Sequence, residues 1–499
     1  MSYRTAYSTA AIHALEAALM ASEGINSNTL MERAGTAAYA RVREVFPDAR
    51  RWAVLAGAGN NAGDGFVMAR LARQEGIDVK VMLLSPRRRP RGDAATQFEA
   101  ARQAAVPAGP WLQAGLDGCD LIVDAMLGIG LDRPLGGRYL EAVRAVNNGG
   151  APAVAVDIPT GLHGDTGASM TAAVRSALTV TFVAEKCGLF LGDAPNYVGR
   201  RVLEPLGRIT PERLAELETG FAGEPALRVF TGETLRAMLP TRDATDHKGR
   251  FGHVLVIAGG PGMGGAARLA GEGALRAGAG LVSVATHPEH SAALLSSRPE
   301  LMVRGARNAE DLGPLLERAT VLAVGCGLGQ DAWARELFAA AQGSNLPVVV
   351  DADGLGLAGG AGASSAPRIL TPHPGEAGRL LDRPSARVQA DRLEALAALR
   401  QRYGGVTLLK GAHTLVSGSG KPPWVVDAGN PGMATAGMGD VLTGLLAGLW
   451  AQLPETEPED LAAMAAFVHA RAGDRAAQGG QRGMIAGDLL EALRAELNP

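Results

Sequence analysis

The sequence contains little cysteine, no excess of one charge and no long apolar run. Its three cysteines, Cys119, Cys187 and Cys326, are scattered over 499 residues and form no C-x-x-C pair. This spacing argues against a disulfide framework and gives no support to a zinc site. We therefore expect the protein to work in a reducing, cytoplasmic environment.

Positive and negative side chains almost cancel, with 48 Lys and Arg against 51 Asp and Glu. This balance argues against a protein that is held to nucleic acid or to a membrane surface by its overall charge. No apolar run reaches the roughly 20 residues that cross a bilayer. The N-terminal MSYRTAYSTAAIHALE has no charged segment followed by an apolar one. We expect a soluble protein that is not exported, has no nucleic-acid or membrane partner and acts through specific sites.

The chain is too long for a single hydrophobic core, because such cores stop growing at about 250 to 300 residues. Short β-branched runs alternate with Ala-, Leu- and Arg-rich stretches, which is typical of parallel sheets covered by helices. We predict an α/β fold with domains at residues 1–215 and 228–499, separated by a polar linker with Pro and Gly. Strands are predicted at residues 52–57, 79–84, 120–126, 153–158, 178–183, 253–259, 281–286, 320–325, 347–352, 405–411 and 424–429.

The start of one helix in the first half is predicted from its capping residues. Thr29 and Glu32 match a capping box at the beginning of TLMERAGTAAYARVREVF.

No repeat of fixed period relates the two halves of the chain. We therefore expect two unrelated sites.

Three strands of the first half end on polar residues. The glycine turn in VLAGAGNNAGDG carries Asn60 and Asn61, and two later strands end on Asp124 and Asp157, with Thr160 shortly after. The carboxyl ends of neighbouring parallel strands share one crevice, where ligands bind. The oxygen atoms of these Asn, Asp and Thr side chains suit an alkali or alkaline-earth cation, or the ribose hydroxyls of a nucleotide. Helix capping would explain Asp124 alone but not all three strand ends.

The second half also places glycine loops after strands, in HVLVIAGGPGMGG and LAVGCGLGQD. Taken alone, these small residues are better explained by the close approach of helix and strand backbones than by a ligand. ILTPHPGEAG then places His373 in a loop after a strand, and LLKGAHTLVSG places Lys410 at a strand end. Lys is a natural phosphate partner. Since a lone His is more often structural than catalytic, it is the position of these residues at strand ends that favours a ligand site.

A further glycine segment, NPGMATAGMGD, ends on Asp440 and precedes the apolar VLTGLLAGLW. A phosphoryl group at the start of such a helix meets several N–H donors and the positive end of the helix dipole. Asp440, in the first turn, would lie where a base takes the proton from an attacking hydroxyl. Capping is the alternative, but a cap does not require the preceding glycines. We predict that Asp440 is catalytic.

The motifs GNNAGDG, VDAMLGIGLDRP and VDIPTG resemble the epimerase domain of the bifunctional NAD(P)H-hydrate repair enzymes. The resemblance covers about residues 10–205 and implies a Rossmann-like three-layer domain that interconverts the R and S forms at C6 of the hydrated nicotinamide ring. It implies potassium ligands at Asn61, Asp124 and Thr160, where Thr160 replaces the serine of many relatives and keeps the hydroxyl. Contacts with the hydrated nucleotide are implied at Ala58, Gly59, Asn60, Asn61, Ala62, Gly128, Ile129, Gly130, Leu131, Asp132, Arg133, Pro134 and Asp157.

Asp124 is also our candidate for the group that assists loss and return of the C6 hydroxyl. A pure cation ligand and a substrate anchor are the alternatives for this carboxylate.

Residues 228–499 resemble the dehydratase domain of the same enzymes, which is ribokinase-like, and AGMGD resembles the G-x-G-D anion hole of ribokinase-like kinases. Met438 stands where sugar kinases commonly carry Thr or Ser, which disfavours an ordinary sugar kinase. The resemblance implies an ADP site at Lys410, Gly411, Ala412, His413, Thr414 and Gly439, and contacts with the hydrated substrate at Ala266, Gly327, His373 and Asp440.

The resemblance implies a metabolite repair enzyme with NADHX or NADPHX as substrate and ADP as co-substrate. Potassium is expected at the epimerase site and magnesium at the dehydratase site, and the protein is expected to be a homo-oligomer. Two other functions stay open. One is an ADP- or ATP-dependent kinase of a vitamin precursor or sugar, and the other is a nucleotide-binding scaffold without catalysis.

Overall fold

The computed structural model describes residues 3–87, 89–208, 225–359 and 366–498 of the chain. The chain divides into two compact units, Thr5–Leu227 and a second unit that combines Met1–Arg4 with Arg228–Pro499. Most of the predicted linker at residues 215–228 lies outside the described residues. Within the described part of the chain, no helix combines the length and the apolar character needed to cross a membrane.

A seven-stranded parallel sheet forms the centre of the N-terminal unit. Its strand order is β4-β3-β2-β5-β6-β7-β9, in which the order reverses between β2 and β5, as in a Rossmann-like sheet. The described strands of this unit are β1 (Arg4–Tyr7), β2 (Arg51–Ala56), β3 (Asp78–Leu83), β4 (Ala108–Pro110), β5 (Leu121–Ala125), β6 (Ala153–Val156), β7 (Leu178–Phe182), β8 (Glu185–Lys186) and β9 (Arg200–Glu204).

The reversal of strand order determines where this sheet can bind a ligand. The chain leaves β2 and β5 in opposite directions along the sheet, so the loops that follow these two strands leave a crevice between them. Helices cover the sheet, and apolar residues of β2, β5 and β6 face them as a buried core. The described helices are α1 (Thr9–Glu23), α2 (Ser27–Val45), α3 (Asn60–Gln74), α4 (Gly92–Gln103) and α5 (Gly137–Asn148).

The predicted capping box at the start of α2 is wrong. The helix begins at Ser27, and the Asn26 side chain caps it by accepting a hydrogen bond of 2.9 Å from the backbone N–H of Thr29. Asn is as good a cap as Ser or Thr, so the helix starts at the earlier residue. Glu32 instead pairs with Arg70.

The C-terminal unit is built on a sheet in the order β13-β12-β11-β14-β15-β16-β17-β18-β19-β10. The strands from β13 to β17 are parallel, β18 is antiparallel to both of its neighbours, and β10 is parallel to β19. The strands are β10 (Pro225–Phe230), β11 (His253–Ile257), β12 (Leu281–Thr286), β13 (Met302–Gly305), β14 (Val321–Val324), β15 (Val348–Val350), β16 (Arg368–Leu370), β17 (Val406–Leu409), β18 (Thr414–Ser417) and β19 (Trp424–Val426).

All eleven strands that the sequence predicts are present, and their ends differ from the prediction by at most three residues. Strand β10 contradicts the sequence prediction, which places Pro225–Phe230 in the linker. Val229 and Phe230 in it are buried and pair with Val425 and Val426 of β19. The prediction missed this strand because the polar residues before it dominate the local composition.

The buried helix of this unit carries the segment that follows NPGMATAGMGD. It spans Met438–Gln452, begins where the sequence predicts and has Asp440 in its first turn. The described helices are α6 (Gly232–Met238), α7 (Gly264–Ala277), α8 (Ser291–Ser297), α9 (Gly313–Leu316), α10 (Ala332–Gly343), α11 (Asp353–Ala358), α12 (Pro374–Leu380), α13 (Ser385–Ala390), α14 (Arg392–Tyr403), α15 (Met438–Gln452), α16 (Pro458–Ala476) and α17 (Ala486–Glu496).

Helices α7 and α15 touch through their small residues. A Cβ atom at Gly444 would lie 1.8 Å from the carbonyl oxygen of Ala270, and one at Gly273 would lie 2.6 Å from that of Val441. These distances leave no room for a side chain. Part of the glycine content of this half therefore serves packing between two helices, rather than between a helix and a strand.

Two candidate active sites

The turn after β2 brings the first candidate site together. Helix α3 begins at Asn60, with Gly59 in the capping position. A Cβ atom at Gly57 would lie 1.9 Å from the carbonyl oxygen of Met126, so the chain after β2 lies directly against the chain after β5. Gly128 also adjoins Asn61, since its Cβ position is 3.4 Å from the Asn61 Cβ. The two loops predicted to contact the hydrated nucleotide, residues 58–62 and 128–134, are therefore neighbours.

Asp124 is fully buried at the end of β5 and is held by Thr160. One carboxylate oxygen accepts hydrogen bonds from the Thr160 hydroxyl at 2.7 Å and the Met126 N–H at 3.3 Å. The other accepts from the Thr160 N–H at 2.8 Å. Burial raises the pKa of Asp124 to about 6, although these hydrogen bonds lower it in part. The structure thus joins two of the three predicted potassium ligands.

Asn61 is the third predicted ligand. Both polar atoms of its side chain, Oδ1 and Nδ2, are buried without a hydrogen-bond partner in the described part of the chain. An unpartnered buried amide is costly. A cation would satisfy Oδ1, and an acceptor atom of a bound ligand would satisfy Nδ2. An amide, a hydroxyl and a carboxylate oxygen are donors of the kind that an alkali cation takes.

Asp157 lies at the end of β6 in a left-handed backbone conformation, with φ of 68°. Its Oδ1 accepts hydrogen bonds from the Lys186 ammonium at 2.5 Å and from the Thr181 hydroxyl and the Phe182 N–H at 3.3 Å. The Lys186 side chain is almost fully buried, and its ammonium also donates to the carbonyl oxygen of Phe182. Asp157 is therefore fixed by its neighbours, with Oδ2 outside these contacts.

Asp64 is a second buried carboxylate near this group. Burial raises its pKa well above the ordinary value, and the charge of Asp157 raises it further while Lys186 lowers it.

Among the other predicted contacts, Leu131 packs into a hydrophobic cluster, whereas Asp132, Arg133 and Pro134 are exposed. The side chain of Leu131 is thus used for packing.

The second candidate site is centred on Asp440, in the first turn of α15. Gly437 caps this helix with φ of 88°, a conformation that favours glycine. Burial raises the pKa of Asp440 to about 6, while a hydrogen bond from the Cys326 thiol lowers it. The carboxylate of Asp351 raises this pKa further, and the Lys410 ammonium lowers it. Asp440 therefore loses its proton just below neutral pH.

Lys410 is paired with a buried carboxylate. Its ammonium lies 2.6 Å from Oδ1 of Asp351, and the Thr443 hydroxyl donates to Oδ2 of Asp351 at 2.8 Å. Burial alone would lower the pKa of Lys410, but the carboxylates of Asp351 and Glu376 raise it above its ordinary value. A Cβ atom at Gly439 would lie 3.4 Å from both Nζ of Lys410 and Oδ2 of Asp351. Two predicted nucleotide contacts, Lys410 and Gly439, are thus adjacent at the start of α15.

His373 caps helix α12 and is half exposed. Its Nδ1 accepts hydrogen bonds from the backbone N–H groups of Gly375 and Glu376, and the backbone N–H of His373 donates to Oε2 of Glu376 at 2.8 Å. That oxygen lies 3.7 Å from Nζ of Lys410. An Nδ1 that accepts N–H bonds carries no proton, so the ring proton is on Nε2, which lies 3.4 Å from Oε1 of Glu376. His373 therefore combines the structural role with the predicted position beside the site.

Ala266 and Gly327, the other predicted substrate contacts, lie side by side. A Cβ atom at Gly327 would lie 3.1 Å from the Cβ of Ala266 and 2.8 Å from that of Met263. The loops after β11 and β14 therefore meet at the point where the strand order of the sheet reverses.

The predicted nucleotide loop, residues 410–414, is the turn between β17 and β18. His413 has φ of 54°, and its Nε2 lies 3.0 Å from Oδ1 of Asp427. The Thr414 hydroxyl donates to the carbonyl oxygen of Gly411 at 3.2 Å. This turn is therefore held by one hydrogen bond within it and by a contact with Asp427, which follows β19.

Met438 points into the hydrophobic core and is 5% exposed. Its carbonyl oxygen lies 2.9 Å from Nε2 of the buried His469, whose pKa burial lowers to about 4. A side chain at this position contacts the core rather than a bound phosphate. The absence of Thr or Ser here therefore removes no contact from the site.

Six residues that take part in these sites are not among the predicted site residues: Asp64, Lys186, Cys326, Asp351, Glu376 and Thr443. Asp351 directly follows the apolar run PVVV of β15, which is the same signal that identified Asp124 and Asp157. Glu376 lies in the TPHPGE segment that carries His373. Lys186 offered no comparable signal, because it follows a short loop rather than a predicted strand.

Comparisons with known protein families match both halves of the chain. A family model described as NAD(P)H-hydrate dehydratase matches residues 254–495, and one described as YjeF-related protein N-terminus matches residues 27–188. The bifunctional NAD(P)H-hydrate repair enzyme Nnr of Coxiella burnetii is 42% identical over 484 residues, which cover 96% of this chain and 97% of that protein. Its counterpart of the same name in Escherichia coli is 41% identical over 482 residues, covering 95% and 90%.

A solved structure also resembles the C-terminal part of the chain. A ribokinase-like superfamily protein from Enterococcus faecalis is 28% identical, with a TM-score of 0.50, and the match covers 55% of this chain and 96% of that one. This likeness confirms the ribokinase-like fold that the sequence predicts.

Proposed function

Because the chain belongs to the family of bifunctional NAD(P)H-hydrate repair enzymes, we propose that its two units act in succession on hydrated nicotinamide nucleotides. The N-terminal unit interconverts the R and S forms of NADHX or NADPHX. The C-terminal unit dehydrates the S form to NADH or NADPH and converts ADP into AMP and phosphate. The observation that carries this proposal is the position of Asp440 beside the Lys410–Asp351 pair at the start of α15.

In the dehydratase reaction Asp440 takes the proton of the C6 hydroxyl, and the resulting oxygen attacks the terminal phosphorus of ADP. The P–O bond to AMP breaks as the new bond forms. The lone pair of the ring nitrogen then expels inorganic phosphate from C6, and loss of a proton from C5 restores the double bond of the reduced ring. Phosphorylation is needed because phosphate leaves far more readily than hydroxide.

The groups around Asp440 suit this transfer. The N–H groups at the start of α15 and the charge of Lys410 stabilise the negative charge on the phosphoryl oxygens. Asp351 and Thr443 fix the ammonium of Lys410, and His373, Ala266 and Gly327 are the proposed contacts of the hydrated ring. We propose the ADP site at Lys410, Gly411, Ala412, His413, Thr414 and Gly439.

In the epimerase reaction the ring nitrogen assists loss of the C6 hydroxyl, and water returns from the other face. A potassium ion fits the donor set of Asn61, Asp124 and Thr160, because the Asn61 amide is buried without a partner. The ion would fix the negative charge of Asp124 and order the loops that bind the nucleotide. Those loops supply Asp157 and the residues 58–62 and 128–134 as proposed substrate contacts.

Of the roles open to Asp124, we propose that of cation ligand and anchor. Both of its oxygens accept hydrogen bonds from Thr160, and it is fully buried. A carboxylate held in this way has little freedom to exchange a proton with the substrate. If Asp124→Asn epimerises at the wild-type rate with potassium bound, Asp124 is neither the cation ligand nor the anchor that we propose.

The expected magnesium ion has no such donor set among the described residues. No group of three or more His, Cys, Asp or Glu there can hold a metal ion, and both oxygens of Asp351 bond to Lys410 and Thr443. The three cysteines are free thiols, which supports the proposal of a reducing, cytoplasmic environment. We propose in addition that the protein is a homo-oligomer, which light scattering after gel filtration would test.

The function is tested by adding ADP to a mixture of NADHX epimers and following the return of NADH absorbance. Asp440→Asn should lower the kcat of dehydration at least about 100-fold, because the general base is lost. Its epimerase rate should equal that of the wild type, which serves as the control for folding. Unchanged dehydration in this variant would refute the role of Asp440. Accumulation of a phosphoester, instead of AMP and free phosphate, would favour the kinase function.

A further inference from the structure

Arg392 is buried beneath the proposed nucleotide loop, and its guanidinium donates hydrogen bonds to backbone carbonyl groups of residues 409–413. The residue begins helix α14 and is 4% exposed. Its Nη1 donates hydrogen bonds to the carbonyl oxygens of Ala412 at 2.5 Å and His413 at 3.0 Å. Its Nη2 donates to those of Leu409 at 3.1 Å and Lys410 at 3.4 Å. One guanidinium therefore gathers four carbonyl groups from five consecutive residues.

The charge of Arg392 has no counter-ion in the described part of the chain. No carboxylate among those residues forms an ion pair with it, and its Nε is buried without a hydrogen-bond partner. Burial lowers the pKa of Arg392 to about 10, so the side chain is still a cation at neutral pH. A buried cation is costly unless it is compensated. The four carbonyl dipoles supply part of this compensation, and a bound anion at the loop would supply more.

The shape of the loop depends on this contact. A Cβ atom at Gly411 would lie 3.1 Å from Nη2 of Arg392, and Gly411 has φ of 145°, which side chains rarely adopt. A trans peptide directs its N–H opposite to its C=O. Since the carbonyl groups of Lys410 and Ala412 point at Arg392, the N–H groups of Gly411 and His413 point away from it. That side of the loop is suited to receive an anion.

We propose that Arg392 is a positioning residue for the nucleotide: it turns the carbonyl groups of residues 409–413 inward so that the N–H groups of Gly411 and His413 face the phosphates of a nucleoside diphosphate. This inference rests on the proposed location of the ADP site at residues 410–414. Lysine could carry the same charge, but an ammonium group cannot span four carbonyl groups in the way that the planar guanidinium does.

The test compares Arg392→Lys with Arg368→Lys. Arg368 is also a buried arginine of this unit, and among the described contacts it makes no hydrogen bond with residues 409–413. Arg392→Lys should raise the KM for ADP about tenfold, which corresponds to the loss of one or two hydrogen bonds. The KM for the S hydrate and the epimerase rate should change less than twofold. Arg368→Lys should leave the KM for ADP unchanged.

A KM for ADP that is unchanged in Arg392→Lys, or raised equally in Arg368→Lys, would overturn the proposal. If Arg392→Lys fails to fold, Gly411→Ala replaces it, because its Cβ would press on the same guanidinium and should also raise the KM for ADP. Lys410→Met separates this inference from the site assignment. An unchanged KM for ADP in Lys410→Met would remove the ADP site from this loop. A raised value there, with an unchanged value in Arg392→Lys, would remove only the role of Arg392.

Discussion

The buried thiol of Cys326 lies beside the carboxylate of Asp440 and lowers the pKa of this proposed base. Cys326 follows β14 in the glycine loop and is 1% exposed. Burial and the neighbouring carboxylates raise the pKa of this thiol well above its ordinary value, so it stays protonated and remains a donor. A donor to the ionised form of an acid lowers the pKa of that acid. Cys326 therefore keeps more of Asp440 in its basic form at neutral pH.

The pH profile of dehydration should show this effect. Because Asp440 has a pKa of about 6 and acts as a base, kcat should fall about tenfold for each pH unit below that value. Cys326→Ala removes the hydrogen bond, so the acidic limb of the profile should move to higher pH. Activity near pH 8 should change little.

Cys187→Ala is the matched control, because Cys187 is a buried thiol of the other unit. Its dehydration profile should overlay that of the wild type. An acidic limb that stays in place in Cys326→Ala would show that this thiol does not act on the base.

Among the helices, the crossing of α7 and α15 fixes the position of Asp440. The backbones meet where Gly444 faces Ala270, and the residues Val441–Ala451 of α15 are all buried. Interiors packed to this density do not accept added atoms without a shift of backbone. The crossing therefore sets where the first turn of α15 lies relative to the loops after β11 and β14.

Gly444→Ala tests this contact. Its Cβ would lie 1.8 Å from a backbone oxygen, so the helices must separate. We expect the free energy of unfolding of the C-terminal unit to fall by about 1–3 kcal/mol, and the kcat of dehydration to fall with it. Denaturant unfolding followed by tryptophan fluorescence would measure the first effect.

Gly487→Ala provides the comparison, because a Cβ at Gly487 meets its nearest neighbour at an ordinary 3.8 Å. This change lies in helix α17 and should be neutral or stabilise by up to about 1 kcal/mol. Equal stability of the two variants would show that the helices are not in tight contact at Gly444.

The elements that can be predicted from the sequence are those marked by a long run of characteristic residues. The strands that precede Asp124 and Asp157 are continuous apolar runs, and the start of α15 is marked by glycines. Strands β16 and β18, of three and four residues, are not predicted. Strands β15 and β19 are as short, but each lies in a longer apolar run, PVVVDA or WVVDAG, that marks it in the sequence.

Residues that act through distant contacts are harder to predict. Arg392 lies in RLEALAALRQRY, where an arginine is typical of a solvated helix face, and only the fold brings it under residues 409–413. Lys186 likewise takes part in the site only through its hydrogen bond to Asp157, which lies 29 residues before it. The sequence therefore predicts where ligands bind better than it predicts which residues support the binding groups.

For the molecule as a whole, the two activities are carried by separate compact units. Hydration of the nicotinamide ring yields both epimers, and dehydration consumes only the S form. An epimerase on the same chain therefore allows the whole pool to be repaired. Each unit can also be inactivated while the other reports on folding.

A complementation experiment follows from this division. Asn61→Ala should lose epimerisation, because it removes one proposed potassium ligand from the buried site. Given a mixture of epimers and ADP, it should restore the S fraction to NADH quickly and then slow to the rate of uncatalysed epimerisation. Replacing potassium by tetramethylammonium should have the same effect on the wild-type protein.

Adding the Asp440→Asn protein should restore full conversion, since its epimerase unit is intact. Conversion would be followed by NADH absorbance and by chromatography of the two epimers. Complete conversion by Asn61→Ala alone would contradict the location of the epimerase site.

The contact between Ala270 and Gly444 also has a consequence for entropy. Neither residue has a rotatable side chain, so the crossing forms without the loss of rotamer freedom that larger residues would undergo. Helix α15 is rigidly seated before any ligand arrives, and the proposed base is held on its first turn. The affinity for nucleotide and hydrate is therefore not diminished by the need to order that helix.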